Sequence, residues 1–212
     1  ARALSNLAVF RSEIGDRFAA LEATRRALAV QRQLGYDSVE LHAPDLASSL
    51  ANHGLSLGAV GRRMEAIAPL AESVAIRRRL SDDNPGAFEP DLAASLNNYA
   101  IQLAYVGRRP EALAALAESV EIRRRLSADT PAAFAPDLAA SLNNQANLRS
   151  ETGDRAGALS AIDEAVTLYR ALAEANPAAF TPDLAASLNN QANRRSETGD
   201  RAGALSAIDE AV

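Results

Sequence analysis

The sequence predicts an all-α protein, a right-handed α-solenoid built from antiparallel helix pairs. The first observation behind this fold class is a repeat: the dipeptide Pro-Asp recurs every 46 residues, at Pro44, Pro90, Pro136 and Pro182. The second is composition, because the chain is rich in alanine and only 4% aromatic, which suits close helix packing better than a β-sandwich. The third is a helical spacing of apolar residues at Leu159, Ile162, Val166 and Tyr169. A fixed period of this size predicts stacked pairs of helices.

The repeat predicts a single array over residues 1–212. Its units cover about 1–43 (partial), 44–89, 90–135, 136–181 and 182–212 (partial). Segments 131–166 and 177–212 differ at only two positions, which indicates recent duplication or a consensus design. Because the chain begins and ends out of phase with its Pro-Asp pairs, we expect it to be a piece of a longer array.

The first helix of each unit, helix A, is expected to begin at the Pro-Asp pair, because proline is tolerated at the first helical position. Thr181 then serves as an N-cap before Pro182. The helix is expected to run for about 15 residues, or about 22 Å. It should end at a glycine such as Gly153, in the left-handed conformation that closes a helix.

The second helix, helix B, follows that glycine. Asp154 can cap it, and Asp16 and Asp200 occupy the same position in their repeats. Pro69 falls about two turns into a helix B, where the loss of a hydrogen bond predicts a local bend. Helix B ends in arginine triplets at 77–79 and 123–125. These triplets are interpreted as solvated helix ends with local ion pairs, although recognition of carboxylates or phosphate is an alternative.

Composition excludes several classes of function. The chain has no cysteine, and so no disulfide or thiolate metal site. A net charge of −5 disfavours binding to nucleic acid. No apolar run approaches the length of a membrane span, so we expect no membrane partner and a cytoplasmic location. The bias towards Ala and Arg, with no lysine, points to a bacterial source.

Signals for an enzyme are few. Residues 54–58 spell Gly-x-Ser-x-Gly, but the nucleophile elbow with that pattern requires a strand-to-helix turn, and these residues fall inside a predicted helix. His42 and His53 are not spaced as a metal pair, and roles in loop packing and on the helix surface are favoured. We therefore expect no catalytic residues, no metal site and no cofactor.

The helix–turn–helix frame resembles the tetratricopeptide repeat. The similarity rests on small residues where the two helices approach, as at Ala100, Ala112 and Ser119, and on the glycine between them. The period of 46 exceeds that family's 34. Within the family the sequence is most similar to the kinesin-light-chain type with its longer repeats, because Pro136-Asp137 is followed by the string Leu-Asn-Asn-Gln-Ala at 142–146. Similar arrays occur in large bacterial signalling proteins.

The resemblance implies a non-enzymatic scaffold that binds a peptide or protein segment in a concave groove lined by helix A. One asparagine recurs at the same register and would contact the backbone of the bound peptide, because an amide both donates and accepts. These residues are Asn6, Asn52, Asn98, Asn144 and Asn190. Neighbouring candidates are Asn97, Asn143, Asn189, Asn147 and Tyr105. The alternative is that the asparagines bond adjacent helices and that the tyrosine belongs to the core.

A second possible function is structural. Near-identical repeats without polar caps leave exposed ends, so the array could be a spacer or a head-to-tail self-assembling module of a larger signalling protein. Possible partners are therefore a protein or peptide ligand, or a second copy of the chain.

Overall fold

Ten helices follow one another along residues 2–35 and 39–211, which are the residues that the computed structural model describes. They are α1 (Arg2–Glu13), α2 (Arg17–Gly35), α3 (Val39–Ala59), α4 (Arg63–Asp83), α5 (Pro85–Tyr105), α6 (Arg109–Asp129), α7 (Pro131–Glu151), α8 (Arg155–Ala175), α9 (Pro177–Glu197) and α10 (Arg201–Glu210). No strand occurs among these residues. The odd-numbered helices correspond to helix A and the even-numbered ones to helix B. The predicted all-α fold of helix pairs is confirmed.

The chain divides into two compact units. Unit 1 is Ala1–Arg108 with α1 to α5, and unit 2 is Arg109–Val212 with α6 to α10. Within each unit every helix packs against the next one along the chain. The single array over 1–212 stays a prediction.

The core of both units is built from one leucine on each helix A. Four of these leucines are at most 1% exposed, namely Leu50, Leu96, Leu142 and Leu188. Burial of such a side chain contributes about 1.5–3 kcal/mol. The predicted stripe on α8 is also confirmed, because Ile162, Val166 and Tyr169 are buried. Burial of its hydroxyl raises the pKa of Tyr169 to about 12.

Helix A begins five residues earlier than the Pro-Asp pair predicts. α5 starts at Pro85 and runs for 21 residues, with Asn84 as its N-cap and Pro90 inside the helix. The predictions that helix A begins at the Pro-Asp pair and that Thr181 caps it are therefore wrong. The earlier Asn-Pro or Thr-Pro pair carries the same start signal. A proline in the second turn removes only one backbone hydrogen bond, so the helix tolerates it.

The linker between a helix B and the next helix A is consequently one residue long at α4–α5, α6–α7 and α8–α9. Asn84 is the C-cap of α4 and the N-cap of α5, and its Oδ1 accepts from the backbone N–H of Ala87 (3.4 Å). α4 also continues without interruption through Pro69. The break in helical structure expected with a bend at Pro69 is therefore not observed.

The turn within each helix pair matches the sequence-based prediction. Gly153 has φ of +86°, a left-handed conformation that favours glycine. The carboxylate of Asp154 then accepts from the N–H of Gly157 at 2.9 Å, and Asp200 caps α10 in the same way. Arg62, by contrast, makes no side-chain cap. Both the left-handed glycine and the aspartate caps are confirmed.

Candidate functional site

The asparagines predicted to bind a ligand lie on the surface of helix A in each unit. In unit 1, Asn52 on α3 and Asn98 on α5 are half-buried, and Asn6 on α1 is exposed. In unit 2, Asn144 on α7 and Asn190 on α9 are half-buried. The structure gives no hydrogen bond between the side chains of Asn52, Asn98 or Asn190 and any described residue. These three amides therefore keep both a donor and an acceptor for another molecule.

The residues three and seven positions after each asparagine share its side of the helix, because an α-helix turns by about 100° per residue. In unit 1 these positions hold Val9 and Glu13 on α1, both exposed. On α3 and α5 they add Leu55, Ala59, Ile101 and Tyr105, of which all but Ile101 are exposed. With Asn52 and Asn98 they form what we call the helix A face of unit 1. In unit 2 the same positions hold polar side chains, namely Asn147, Glu151, Asn193 and Glu197.

One predicted asparagine has a structural role instead. Asn143 donates from Nδ2 to the hydroxyl of Ser187 (2.7 Å), which joins α7 to α9. Its Oδ1 is buried and has no partner. The alternative interpretation, in which asparagines bond adjacent helices, therefore holds for Asn143. At the positions that correspond to Asn143 in two other repeats, Asn97 is half-buried and Asn189 is exposed.

The two tyrosines near this face differ in environment. Tyr105 is 59% exposed, and the guanidinium of Arg63 lies 3.7 Å from the centre of its ring. A cation over a ring face at this distance is attracted by the quadrupole of the ring. Tyr99 packs against the core cluster that contains Leu57 and Leu70. Tyr105 is thus a surface aromatic group held by Arg63, whereas Tyr99 belongs to the core.

The arginine triplets do not behave as uniformly solvated helix ends. Arg77 and Arg123, the first of each triplet, are only 9% and 6% exposed. Arg77 donates to the carbonyl of Asp91 (3.1 Å) and to the hydroxyl of Ser95. Burial lowers the pKa of both guanidinium groups, but an arginine stays protonated in proteins.

Arg123 makes the same contacts in unit 2, with the carbonyl of Asp137 at 2.8 Å and the hydroxyl of Ser141. The predicted solvation is therefore wrong for the first arginine and fits the others better, because Arg79 is exposed and Arg124 pairs with Glu164 (3.0 Å). A sequence signal was present: an aspartate and a serine follow the first arginine by 14 and 18 residues in both repeats.

Sequence analysis did not foresee a cavity of about 370 Å³ in unit 1. It lies between α2 and α4 above residues of α3, and we call it the His53 cavity. Its lining includes Phe18, Leu21, Leu57 and Pro69, together with the half-buried His53. Burial, and then the nearby positive charge of Arg62, lower the pKa of this imidazole.

The described residues give no sign of metal chemistry or of a membrane span. Among them, no three His, Cys, Asp or Glu side chains are grouped to hold a metal ion. No helix in that part of the chain has the length and apolarity needed to cross a bilayer. The Gly-x-Ser-x-Gly string at 54–58 lies within the continuous helix α3, not at the strand-to-helix turn that a nucleophile elbow requires.

Comparison with known proteins gives one family match within the chain and several solved structures of similar fold. Residues 92–131 match the family model of the tetratricopeptide repeat. A kinesin-light-chain-like protein of Podosopora anserina with nearly identical tetratricopeptide-like repeats has a similar structure, with a TM-score of 0.76, 22% identity and coverage of 99% of this chain and 92% of that one. No curated protein matches the sequence.

Two further structures share this tetratricopeptide fold. BtubC (BKLC) from P. vanneervenii gives a TM-score of 0.78 at 22% identity and covers 98% of this chain and 76% of that one. MamA from Desulfovibrio magneticus RS-1 gives 0.63 at 13% identity, with 99% and 92% covered. The predicted resemblance to kinesin-light-chain-like repeats is thus confirmed for the fold. Proteins with this fold are typically interaction scaffolds, because stacked repeats present extended surfaces to partners.

Proposed function

We propose that this chain is a non-enzymatic protein–protein interaction scaffold. It binds a peptide or protein segment in a groove lined by helix A residues. The observation that carries the proposal is the set of unbonded amides at Asn52 and Asn98, each next to exposed side chains on its own helix. Asparagine is a mediocre helix former, so its use in the middle of a helix calls for another purpose. Pairing with the main chain of an extended peptide supplies one.

The energetics favour unit 1 as the stronger binding surface. One hydrogen bond contributes about 1 kcal/mol net, whereas micromolar affinity needs about 8 kcal/mol. Amides alone cannot supply this, so apolar contact must add to them. In unit 1 the helix A face offers Leu55 and the large ring of Tyr105 beside the amides. In unit 2 the corresponding positions are polar, and Ser150 already donates to the carboxylate of Glu197 (2.7 Å).

The remaining candidates belong to the proposal with different roles. Asn6, Asn144, Asn190 and Asn147 would extend the amide contacts along their own units, with Asn97 and Asn189 at the edge. Asn143 is assigned a structural role because of its bond to Ser187. A cytoplasmic location and the lack of nucleic-acid partners stay predictions from composition.

Selection from a random peptide display library against the whole chain, followed by calorimetric titration, tests this function. We expect Asn52→Ala with Asn98→Ala to weaken the selected peptide about 30-fold, because two hydrogen bonds of about 1 kcal/mol each are lost. Helicity and thermal unfolding should stay close to those of the parent chain, since these amides bond nothing within the protein.

Two variants serve as controls. Asp82→Ala, on the exposed side of a helix B, should change neither affinity nor stability. Asn143→Ala should lower the unfolding free energy by about 1 kcal/mol and leave the affinity of a unit 1 ligand unchanged. Unchanged affinity in the Asn52/Asn98 variant, or a matching loss of stability in it, would refute the proposed role of these amides.

Self-association is the second candidate, and the last helix supplies its observation. Leu205 and Ile208 on α10 are 63% and 44% exposed and line a cavity of about 400 Å³ with Ala192 and Ala204. One period earlier, Ile162 is completely buried. A second copy of the chain could cover these side chains head to tail, through exposed residues of α1 such as Phe10.

Light scattering over a concentration series tests self-association through α10. Association through α10 predicts a mass that rises with concentration in the parent chain and stays that of a monomer in Ile208→Glu. A monomer at all concentrations, or association that survives Ile208→Glu, would contradict self-assembly through this surface.

A further inference from the structure

The His53 cavity of unit 1 has the dimensions of a ligand site. Its volume of about 370 Å³ lies within the range of roughly 300–1,000 Å³ that is usual for pockets that bind small groups. Leu21 and Leu28 of α2 line one side, and Pro69 of α4 lines the other. Phe18 also lines it and is 76% exposed, so a large aromatic ring is left in water beside the cavity.

The charged groups around the cavity are already paired with one another. Arg25 bonds Glu22 (2.8 Å) on α2, and Arg62 bonds Glu65 (2.7 Å) at the start of α4. A third pair, Arg32 with Glu72 (3.0 Å), links the two helices. A charged ligand would have to break one of these pairs or enter without a counter-ion, which is unfavourable in a partly buried site. An uncharged ligand leaves all three intact.

Among the described residues that line the cavity, His53 is a polar group that takes no part in the three ion pairs. Its Nδ1 lies 3.2 Å from the hydroxyl of Thr24, and that hydroxyl donates to the carbonyl of Leu21 (2.8 Å). Because the only hydroxyl proton is used in this way, Nδ1–H of the imidazole is assigned as the donor to Thr24. Nε2 is then an unprotonated acceptor, and it matches a ligand that donates a hydrogen bond. The lowered pKa of His53 agrees with a neutral ring.

The cavity is separate from the helix A face of the same unit. At about 100° per residue, His53 and Leu57 lie roughly 100° and 140° around α3 from Asn52. The corresponding positions of unit 2 also lack these features. There Gln191 donates to Asp163 (2.6 Å), and Arg195 lies 3.7 Å from the same carboxylate. Gln191, Arg195 and Asp163 thus interact with one another in unit 2, whereas His53 and Leu57 of unit 1 line a cavity.

We propose that the His53 cavity is a second binding site, which takes an uncharged aromatic side chain with a hydrogen-bond donor, such as tryptophan or tyrosine, from a partner protein. The ring would lie between Leu21 and Pro69 with Phe18 beside it, and its N–H or O–H would donate to Nε2 of His53. The site would add an anchor on the helix B side of unit 1, independent of a peptide bound to helix A.

Titration of the whole chain with N-acetyl-tryptophanamide, followed by heteronuclear NMR, tests the site. We expect saturable shifts of the His53 ring signals and of amides in α2 and α4, with a Kd of about 1 mM for a probe of this size. The 1-methylindole analogue should bind about five-fold more weakly, because it cannot donate and the lost hydrogen bond is worth about 1 kcal/mol. In His53→Met the two probes should bind equally.

A pair of leucine variants on α3 provides the matched control. Leu57→Arg introduces the residue found at the corresponding position 195 and should abolish the shifts, whereas Leu55→Arg on the exposed helix A face should leave them unchanged. Circular dichroism confirms that both variants are folded. The absence of saturable shifts in the parent chain, equal loss in both variants, or shifts confined to the helix A face would overturn the proposal. If Leu57→Arg does not fold, equal binding of the two probes to the parent chain would overturn the role of His53.

Discussion

Helices α3 and α5 of unit 1 carry apolar and aromatic side chains at the positions where α7 and α9 of unit 2 carry amides and carboxylates. Leu55 and Tyr105 of unit 1 correspond by register to Asn147 and Glu151 of unit 2. The core shows no such difference, because Leu96 and Leu142 are almost completely buried at one register. The comparison shows that a repeat can change its surface chemistry without changing the residues that pack it.

The same contrast occurs on the other side of the helix pair. In unit 1, His53 and Leu57 line a cavity, whereas in unit 2 Gln191 and Arg195 bind Asp163 from the corresponding positions. Both units contain one-residue linkers and glycine turns. The side chains on the helix A surface and around the cavity can therefore differ between the units without a change in the backbone. We therefore expect the two units to differ in ligands and to agree in the contacts that hold them together.

The largest effect on stability is expected at a buried arginine contact that both units share. Arg77→Ala in unit 1 and Arg123→Ala in unit 2 should each lower the unfolding free energy by about 3 kcal/mol, because a backbone carbonyl and a buried serine hydroxyl lose a charged donor. Urea unfolding followed by circular dichroism measures this. The exposed Arg79→Ala is the control and should stay within about 0.5 kcal/mol of the parent chain.

A marked difference between the two arginine variants would break the comparison. If Arg77→Ala were nearly neutral while Arg123→Ala was costly, the contact would not be a shared structural device. If Arg79→Ala cost as much as either, surface charge rather than the buried hydrogen bonds would explain the loss.

A smaller effect is expected at a close helix contact that differs between the units. Gly54 in α3 stands where unit 2 has Ala146, and a methyl group at Gly54 would lie 2.5 Å from Cγ of Leu70. In unit 2 the residue facing Ala146 in the same core cluster is Ile162. Gly54→Ala should therefore lower the unfolding free energy by about 1 kcal/mol, since overpacking outweighs the gain in helix propensity.

A double-mutant cycle sharpens this prediction. Leu70→Ile alone should cost about 1 kcal/mol, but the double variant should be more stable than the sum of the two losses by at least about 0.5 kcal/mol, because the isoleucine makes room for the alanine. Strictly additive losses of unfolding free energy would show that positions 54 and 70 do not interact energetically.

Much of this fold follows from the sequence because the determining residues repeat. The fully buried leucines, the left-handed glycines and the aspartate caps each recur at one register, and each has a single physical explanation. The start of helix A was mispredicted because Asn84-Pro85 and Pro90-Asp91 carry the same signal five residues apart. The helix begins at the earlier pair because a longer helix tolerates the loss of the one backbone hydrogen bond that Pro90 cannot donate.

The binding surfaces follow from the sequence less completely. The repeated asparagines predicted a binding surface on helix A. The sequence alone could not show which of them make hydrogen bonds within the protein: Asn98 bonds no described residue, whereas Asn143 bonds Ser187. That distinction depends on the neighbouring helix, 44 residues away in the chain. The His53 cavity could not be predicted for a related reason, because residues of three helices form it and their proximity is not visible in the sequence.

The smallest effect concerns the pH dependence of unit 1. Burial, then the charges of Arg62, Arg32 and Arg25, lower the pKa of His53 in the folded chain, against the opposing effect of Glu65. Protonation of His53 therefore favours the unfolded chain. The contribution of a neutral His53 is complete above the ordinary histidine pKa of about 6.5 and is lost as the pH falls below it.

His53→Gln introduces the side chain found at position 191 and removes this titration. The unfolding free energy of the parent chain should fall more steeply than that of His53→Gln between about pH 7.5 and 5.5, the range in which histidine titrates. His42 is common to both chains, so its contribution cancels in the difference. Parallel pH profiles would mean that the imidazole is not held neutral, and a steeper profile in His53→Gln would mean that folding stabilises its charged form. Either result would contradict the assignment of a neutral imidazole to His53 in the cavity of unit 1.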